Sequence, residues 1–234
     1  DLPEYSITQT PLNEQDLKTM SEAVEVLRQF KGFSYFTEMS DIINRLEDHV
    51  ASARMKTTPV IDFEKNESLK GLDYLDTIYH AIVNEHPIQL KYRSFKARSA
   101  NSFIFYPYLL KEYRNRWFVY GVRGNGRILQ NLALDRIQSL EVLPQEHYIK
   151  NTFFDPNTFF DDLVGVTKNS GSVAEKIGFK VAAAEAPYII TKPIHRSQQV
   201  VERLADGSVI LEIEVVINHE LERVFFGYAE GIQI

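Results

Sequence analysis

Residues 115–127 read NRWFVYGVRGNGR, and the chain continues ILQNLALDRI over 128–137. How the glycines of this stretch are read decides the fold. The thirteen positions hold the single Trp of the chain, two further aromatics, three Arg and three Gly. Glycines at 121, 124 and 126 beside arginines are compatible with a loop that cradles phosphate, and equally with the turn of a hairpin. Context separates the two. Gly124-Asn125-Gly126 lies between NRWFVYGVR and RILQNLAL, both strand-like. Asn-Gly between such runs is a strong hairpin signal because both residues tolerate positive φ. A dinucleotide loop needs its glycines to lead from a strand into a helix, and here a strand follows; no G-x-x-x-x-G-K-[ST] occurs either.

Working outward, PIQLKYRSF (87–95) alternates Ile88, Leu90 and Tyr92 against Gln89, Lys91 and Arg93, a half-buried strand. SFIFYPYLLKEY (102–113) follows, with Pro107 marking an edge or a bulge. RIQSLEVL (136–143) supplies a fifth strand. Five short strands with tight turns and no intervening helix predict a small antiparallel barrel.

Ahead of it the pattern is helical. TPLNEQDLKTMSEAVEVLRQFKG (10–32) has Asn13 as a cap and Leu17, Met20, Val24, Leu27 and Phe30 at helical spacing. FTEMSDIINRLEDHVASA (36–53) reads as a second helix, TPVIDFE (58–64) as extended, and LKGLDYLDTIYHAIVNEH (69–86) as a third helix stopped by Pro87. These helices look like a packing or dimerisation collar.

Beyond the strands, DPNTFFDDLVGV (155–166) reads as a short helix started by Asp155 and Pro156, and TKNSGS (167–172) as a linker. The rest offers a strand, a helix or loop, a hairpin turning at Asp206-Gly207, and a helix carrying Leu221, Val224, Phe225 and Tyr228. That makes a small α+β sandwich.

Composition narrows the functions. Apolar residues are 44% and charged residues 25% of 234, ordinary for a folded protein. No run approaches the roughly 20 apolar residues of a membrane helix. With no Cys there is no disulfide, thiolate metal site or thiol nucleophile. The chain begins DLPEYS and stops at GYAEGIQI, which suggests a fragment that has lost sequence at both ends. A net charge of -6 opposes nucleic-acid binding by the whole surface. Yet from residue 88 to 127 nine cations (Lys91, Arg93, Lys96, Arg98, Lys111, Arg114, Arg116, Arg123, Arg127) face only Glu112. This cationic island is either solvated strand edge or an anion site.

Catalytic chemistry finds no support. The six His are scattered, with no H-x-H or H-E-x-x-H pair for a metal, and no G-x-S-x-G elbow occurs. The expectation is therefore no enzyme, no catalytic residue, no metal and no cofactor. What remains is a binding set of Tyr92, Ser94, Arg116, Trp117, Asp135 and Arg136. Arg suits phosphate or carboxylate, and the aromatic faces suit stacking of a ring. Taken alone, Trp117 fits barrel core, and Asp135 could simply pair with Arg136 or cap a turn.

In order, QLKYRSF, YPYLLKEYRNRWFVYG and LALDRI resemble the successive strands of a WYL domain, with Trp117-Phe118-Val119 standing for the Trp-Tyr-Leu run. The segment from about 173 resembles the extension that follows WYL in bacterial transcriptional regulators, and the helices before it resemble their linker. The resemblance implies α+β architecture: N-terminal helices (1–73), an Sm/SH3-like five-stranded antiparallel barrel (74–150), a short helix and linker (151–171), and a truncated C-terminal extension (172–234). It implies a cytoplasmic homodimer that binds DNA through a winged helix-turn-helix absent from this fragment. It further implies ligand sensing in the barrel, with a nucleotide or oligonucleotide effector and no membrane partner. A structural oligomerisation module without ligand, or a barrel that binds single-stranded nucleic acid, are the alternatives. The family's further arginines correspond to Gln130 and Ala133 here, and its His after the Pro to Tyr108, which joins the ligand-binding set by that match. Losing two guanidinium groups weakens a polyanion pocket.

Overall fold

The computed structural model describes residues 69–124 and 128–234. The expected helices at 10–32 and 36–53, the extended 58–64, and Asn125-Gly126 lie outside the described residues. The chain divides into two compact units, Asp1–Tyr79 and His80–Ile234. Among the described residues, a 3-10 turn, Leu72–Tyr74, leads into helix α1, Leu75–Val83.

The α1 helix stops before Pro87 because the chain turns left-handed at Glu85 (φ 53). There the Glu85 N–H donates to the Ile82 carbonyl (3.2 Å) and the His86 N–H to the Ala81 carbonyl (2.8 Å). This is a Schellman motif, with Glu in the place that Gly usually takes.

Five strands follow: β1 Ile88–Tyr92, β2 Asn101–Tyr113, β3 Arg116–Arg123, β4 Leu129–Ala133 and β5 Ile137–Val142. They form one antiparallel sheet of order β4-β3-β2-β1-β5. The alternation read in β1 holds, with Ile88 and Leu90 buried and Lys91 exposed. Phe105, Val119, Val122, Leu132, Leu134 and Ile137 join them in the core. Pro107 lies two residues beyond Phe105, the last β2 residue that pairs with β1, and next to a bulge, as the edge-or-bulge reading expects. It is tolerated because no β1 residue pairs with it to need its missing N–H, and the β2–β3 register shifts right after it, a bulge that leaves Tyr108 unpaired.

Gly121 serves strand packing. It pairs with Pro107, and a Cβ there would lie 2.1 Å from the Tyr106 carbonyl oxygen. This glycine lets two strands approach each other; it is not a phosphate glycine. Gly124, at φ 60, starts the turn between β3 and β4, so the hairpin reading holds. A second tight turn joins β2 to β3 through Arg114 (φ 50) and Asn115 (φ 60). Both centres are left-handed, as a type I′ hairpin requires.

The last 60 residues form a second sheet from β6 Glu175–Val181, β7 Gln199–Arg203, β8 Val209–Val215 and β9 Ile232–Gln233, with helices α2 Ala186–Thr191 and α3 His219–Phe226. The order is β7-β8-β6-β9, all antiparallel. With element order βαββαβ this is the ferredoxin-like split arrangement. Asp206-Gly207 turns the β7–β8 hairpin as expected: Gly207 has φ 83, and Asp206 Oδ1 accepts from the Ser208 N–H (2.9 Å). Phe179, Val181, Ile189, Leu211, Ile213, Leu221 and Phe225 make its core.

The short helix expected at 155–166 is a correction. Phe159 N–H donates to the Asp155 carbonyl, but Asp161 and Leu163 bond only three residues back, to Thr158 and Phe160, so turns replace a helix. The reason is tertiary: this strap is tied to both sheets at once. From the first sheet, the Tyr120 hydroxyl and Asn131 Nδ2 (2.6 Å) both donate to the Val166 carbonyl. From the second, Asn218 Nδ2 donates to the Val164 and Thr167 carbonyls, each at 2.9 Å. The Val216 N–H donates to the Asp162 carbonyl (2.8 Å). Phe154, Phe159 and Phe160 pack round the Tyr120 ring, while the Val164 side chain enters the second core. A regular helix would withdraw the Asp162 carbonyl into its own ladder, and Gly165, at φ 93, departs from helical backbone so that the carbonyls around it can face both sheets.

Candidate functional site

The β4 strand ends at Ala133, and a single 3-10 turn, Leu134–Arg136, hands the chain to β5. Leu134 anchors the turn by burial, which leaves Asp135 and Arg136 at its outer corner. The β3 strand starts beside it, since Phe118 pairs with Ala133, and this brings Arg116 within reach. From the other side, the Arg93 N–H donates to the Arg136 carbonyl (3.1 Å), which fixes the end of β1 and its Tyr92 against the same turn.

The result is a compact charged cluster. Arg116 Nε lies 3.3 Å from Asp135 Oδ2, and Arg136 Nε lies 3.7 Å from Asp135 Oδ1. The Asp135 side chain is only 13% exposed, so a largely buried carboxylate holds two guanidinium groups. The second contact is an ion pair without a hydrogen bond: Asp135 Oδ1 and Arg136 Nε are both buried and lack hydrogen-bond partners. Two cations on one anion leave a net positive charge at the turn, with unused hydrogen-bonding capacity.

The Tyr92 phenol is pushed above its ordinary value chiefly by burial, partly offset by Arg136 and by the backbone of Ala133. It therefore stays neutral at pH 7 and can donate a hydrogen bond. Of the expected set, Tyr92, Arg116, Asp135 and Arg136 come together here. Ser94 is half-buried just beyond β1, where its carbonyl accepts from the Ala97 N–H (3.0 Å). Trp117 is half-buried opposite Glu112 of β2, whereas the buried positions of β3 are Val119 to Val122.

Tyr108 stands elsewhere. It is seven residues along β2 from Asn101, the partner of Tyr92, and five from Tyr113, the partner of Arg116. At about 3.3 Å per residue that is roughly 16 Å of strand from the nearer end. Its ring stacks on Phe153 (6.2 Å) and meets Tyr148 edge-on (6.1 Å), and burial pushes its phenol up to about 12. Of the two positions where arginines would be expected, Ala133 is buried in the core and Gln130 is half-buried opposite Gly121.

One member of the site was not singled out from sequence. Phe95 is 75% exposed, and the Arg136 guanidinium carbon lies 4.4 Å from its ring centroid. An aromatic next to basic residues just past a strand was the available signal, at KYRSFKAR (91–98). Among the described residues no group of three His, Asp or Glu is placed to hold a metal ion, and no helix is long and apolar enough to cross a membrane.

No curated protein matches the chain. Among solved structures, the Proteasome accessory factor B/C (PafBC) of Arthrobacter aurescens is similar at 13% identity and a TM-score of 0.31, over 84% of this chain. The chain spans only 28% of that protein. Family models match the WYL domain over residues 73–142 and the WCX domain over 174–234. The first range holds the five-stranded sheet with its Arg116–Asp135–Arg136 cluster and the second holds the ferredoxin-like sheet, so the chain carries a WYL domain followed by a WCX domain.

Proposed function

We propose that this chain is the ligand-sensing and dimerisation region of a bacterial transcriptional regulator, without enzymatic activity, and that an anionic effector binds at the Arg136–Asp135–Arg116 corner. The effector is nucleotide-like or a nucleic acid. DNA binding belongs to a winged helix-turn-helix in the remainder of such a regulator, which acts as a cytoplasmic homodimer. The observation that carries the reading is the pair of partly exposed guanidinium groups, Arg116 and Arg136, that one largely buried carboxylate holds at the same corner. An incoming phosphate would bond to the exposed ends of these guanidinium groups, and a charge-assisted hydrogen bond contributes roughly 1.5–3 kcal/mol. Asp135 holds the guanidinium groups in place beforehand, which lowers the cost of ordering them on binding.

Thermal shift with nucleotides and short oligonucleotides tests this, because a ligand specific to the folded state raises stability by mass action. A ligand that raises the midpoint of the parent should lose most of that effect in Arg136→Ala, while the midpoint of the unliganded variant stays near the parent's. Equal loss of stability and of binding, or no stabilising ligand at all, would refute the sensor reading. A structural oligomerisation module without ligand is the second reading. It is favoured by the way Asp135 already neutralises much of the local charge, and by the absence of arginine at Gln130 and Ala133.

A further inference from the structure

We infer that Phe95 is the ring-recognition residue of this site: its outer face stacks on the base of a nucleotide whose phosphate engages Arg136. The inference rests on the anion-site reading above and names the part of the ligand which that reading leaves open.

Three observations converge on it. The Ala97 N–H donates to the Ser94 carbonyl, so Phe95 and Lys96 occupy the two central positions of a tight turn. The root of this loop is pinned by the bond from the Arg93 N–H to the Arg136 carbonyl, so its tip is carried on the 134–136 turn and keeps a set distance from the charged cluster. Within this arrangement the phenyl ring has one face covered by the Arg136 guanidinium and remains 75% exposed. Little of the ring is spent on packing, so its outer face is open to a ligand.

The ring and the guanidinium instead hold each other in orientation. Phe95 covers a face of the planar Arg136 fork, Nε is buried against Asp135, and the terminal amino groups are left for an anion. Its own outer face is then available to another flat ring. Arg93, Lys96 and Arg98 are exposed around it, and no acid occurs between 93 and 100. A flat uncharged ring close to an anion, met by an aromatic face close to cations, is the chemistry of a base with its phosphate. A free nucleotide and a nucleotide within a single strand share that chemistry.

The test is titration calorimetry of the 234-residue chain with inorganic pyrophosphate, 5′-AMP and hexathymidylate, on the parent, Phe95→Leu, Phe95→Trp and Arg136→Ala. Phe95→Leu should weaken whichever of 5′-AMP and hexathymidylate the parent binds by roughly 10-fold, the effect of one stacked base. It should leave pyrophosphate within about twofold. Phe95→Trp should retain nucleotide binding, and its indole emission should be quenched by the bound base beyond any change seen from Trp117 in the parent. Preference for 5′-AMP identifies a free nucleotide as the source, and preference for hexathymidylate a single strand; either supports the role of Phe95. If the parent binds pyrophosphate through Arg136 but nucleotides no more tightly, or if Phe95→Leu weakens both classes equally, the ring-recognition role is overturned while the anion site stands. If the parent binds none of the three probes, both fall.

Discussion

The most informative single residue to change is Asn218, one of the two buried polar or charged side chains among the described residues. Its Oδ1 accepts from the Leu221 N–H (2.8 Å), which caps α3, and its Nδ2 donates to the Val164 and Thr167 carbonyls of the strap. Asn218→Ala removes the cap, worth about 1 kcal/mol. It also removes two hydrogen bonds at roughly 1 kcal/mol each, before any penalty for carbonyls left buried. The expected loss is about 3 kcal/mol, or roughly 6–12 °C in Tm for a unit of this size. Asn218→Asp separates the two roles. Asp caps as well as Asn, so a residue that served only as a cap would tolerate it. A carboxylate cannot donate to the two strap carbonyls and repels them, so Asn218→Asp should cost at least about 2 kcal/mol at pH 7. Urea unfolding followed by circular dichroism at 222 nm measures both variants. An Asn218→Asp protein as stable as the parent would refute the claim that this side chain ties the strap down.

Two further expectations follow from local chemistry. Arg114 occupies a left-handed position (φ 50) that costs an ordinary L-residue roughly 1–2 kcal/mol, whereas Asn accommodates it with a local hydrogen bond. Arg114→Asn should therefore raise stability by about 0.5–1 kcal/mol in the same urea assay, and a loss would show that the Arg114 contact with the Tyr113 ring outweighs the strain. His195 is held below its ordinary value chiefly by burial and then by the Arg196 charge, with the Asp161 backbone and the Asp161 and Asp162 carboxylates opposing. Its Nδ1 accepts from the Ser197 N–H (3.2 Å), which a protonated ring cannot do. The unfolded chain then binds the proton more readily than the folded one, so stability falls as pH drops through about 6.5 and levels off below the folded value. Tm measured from pH 7.5 to 5.5 should fall more steeply in the parent than in His195→Gln; parallel profiles would show that His195 is not responsible.

How much of this was legible in the sequence depended on whether the cause was local. The β1 strand was readable because Ile88 and Leu90 alternate with Gln89 and Lys91, and a half-buried sheet imposes that period on any strand. The turns at Gly124 and Asp206-Gly207 were readable because left-handed backbone selects Gly and Asn. The Arg114-Asn115 turn makes the same demand but fills its first position with Arg, so the signal was missing although the geometry is the same. The strap was misread for the opposite reason. Its Asp155-Pro156 start is a sound local helix signal, overruled by carbonyls at 162, 164, 166 and 167 that are claimed by Tyr120, Asn131, Val216 and Asn218 from distant parts of the chain. In the site, Arg116, Asp135 and Arg136 could be named from their order along the chain. Phe95 could not, since its significance lies in the guanidinium above it, and nothing local in KYRSFKAR says where Arg136 will be. Tyr108 followed from a matching position alone, and the aromatic group around Tyr148 claims it.

The strap also bears on how such domains can be recombined. A WYL segment trimmed at residue 142 would leave the Tyr120 hydroxyl without its acceptor, and a WCX segment begun at 174 would lose Val164 from its core. Neither half therefore has a clean edge at the limits of its family match. A chimera that joins this ferredoxin-like sheet to a foreign five-stranded one must bring the strap along. It must also supply, on the foreign β3 and β4, donors placed like Tyr120 and Asn131. Successful exchange between relatives should track those two positions and the 155–168 segment together, as one inherited joint whose two faces have to match.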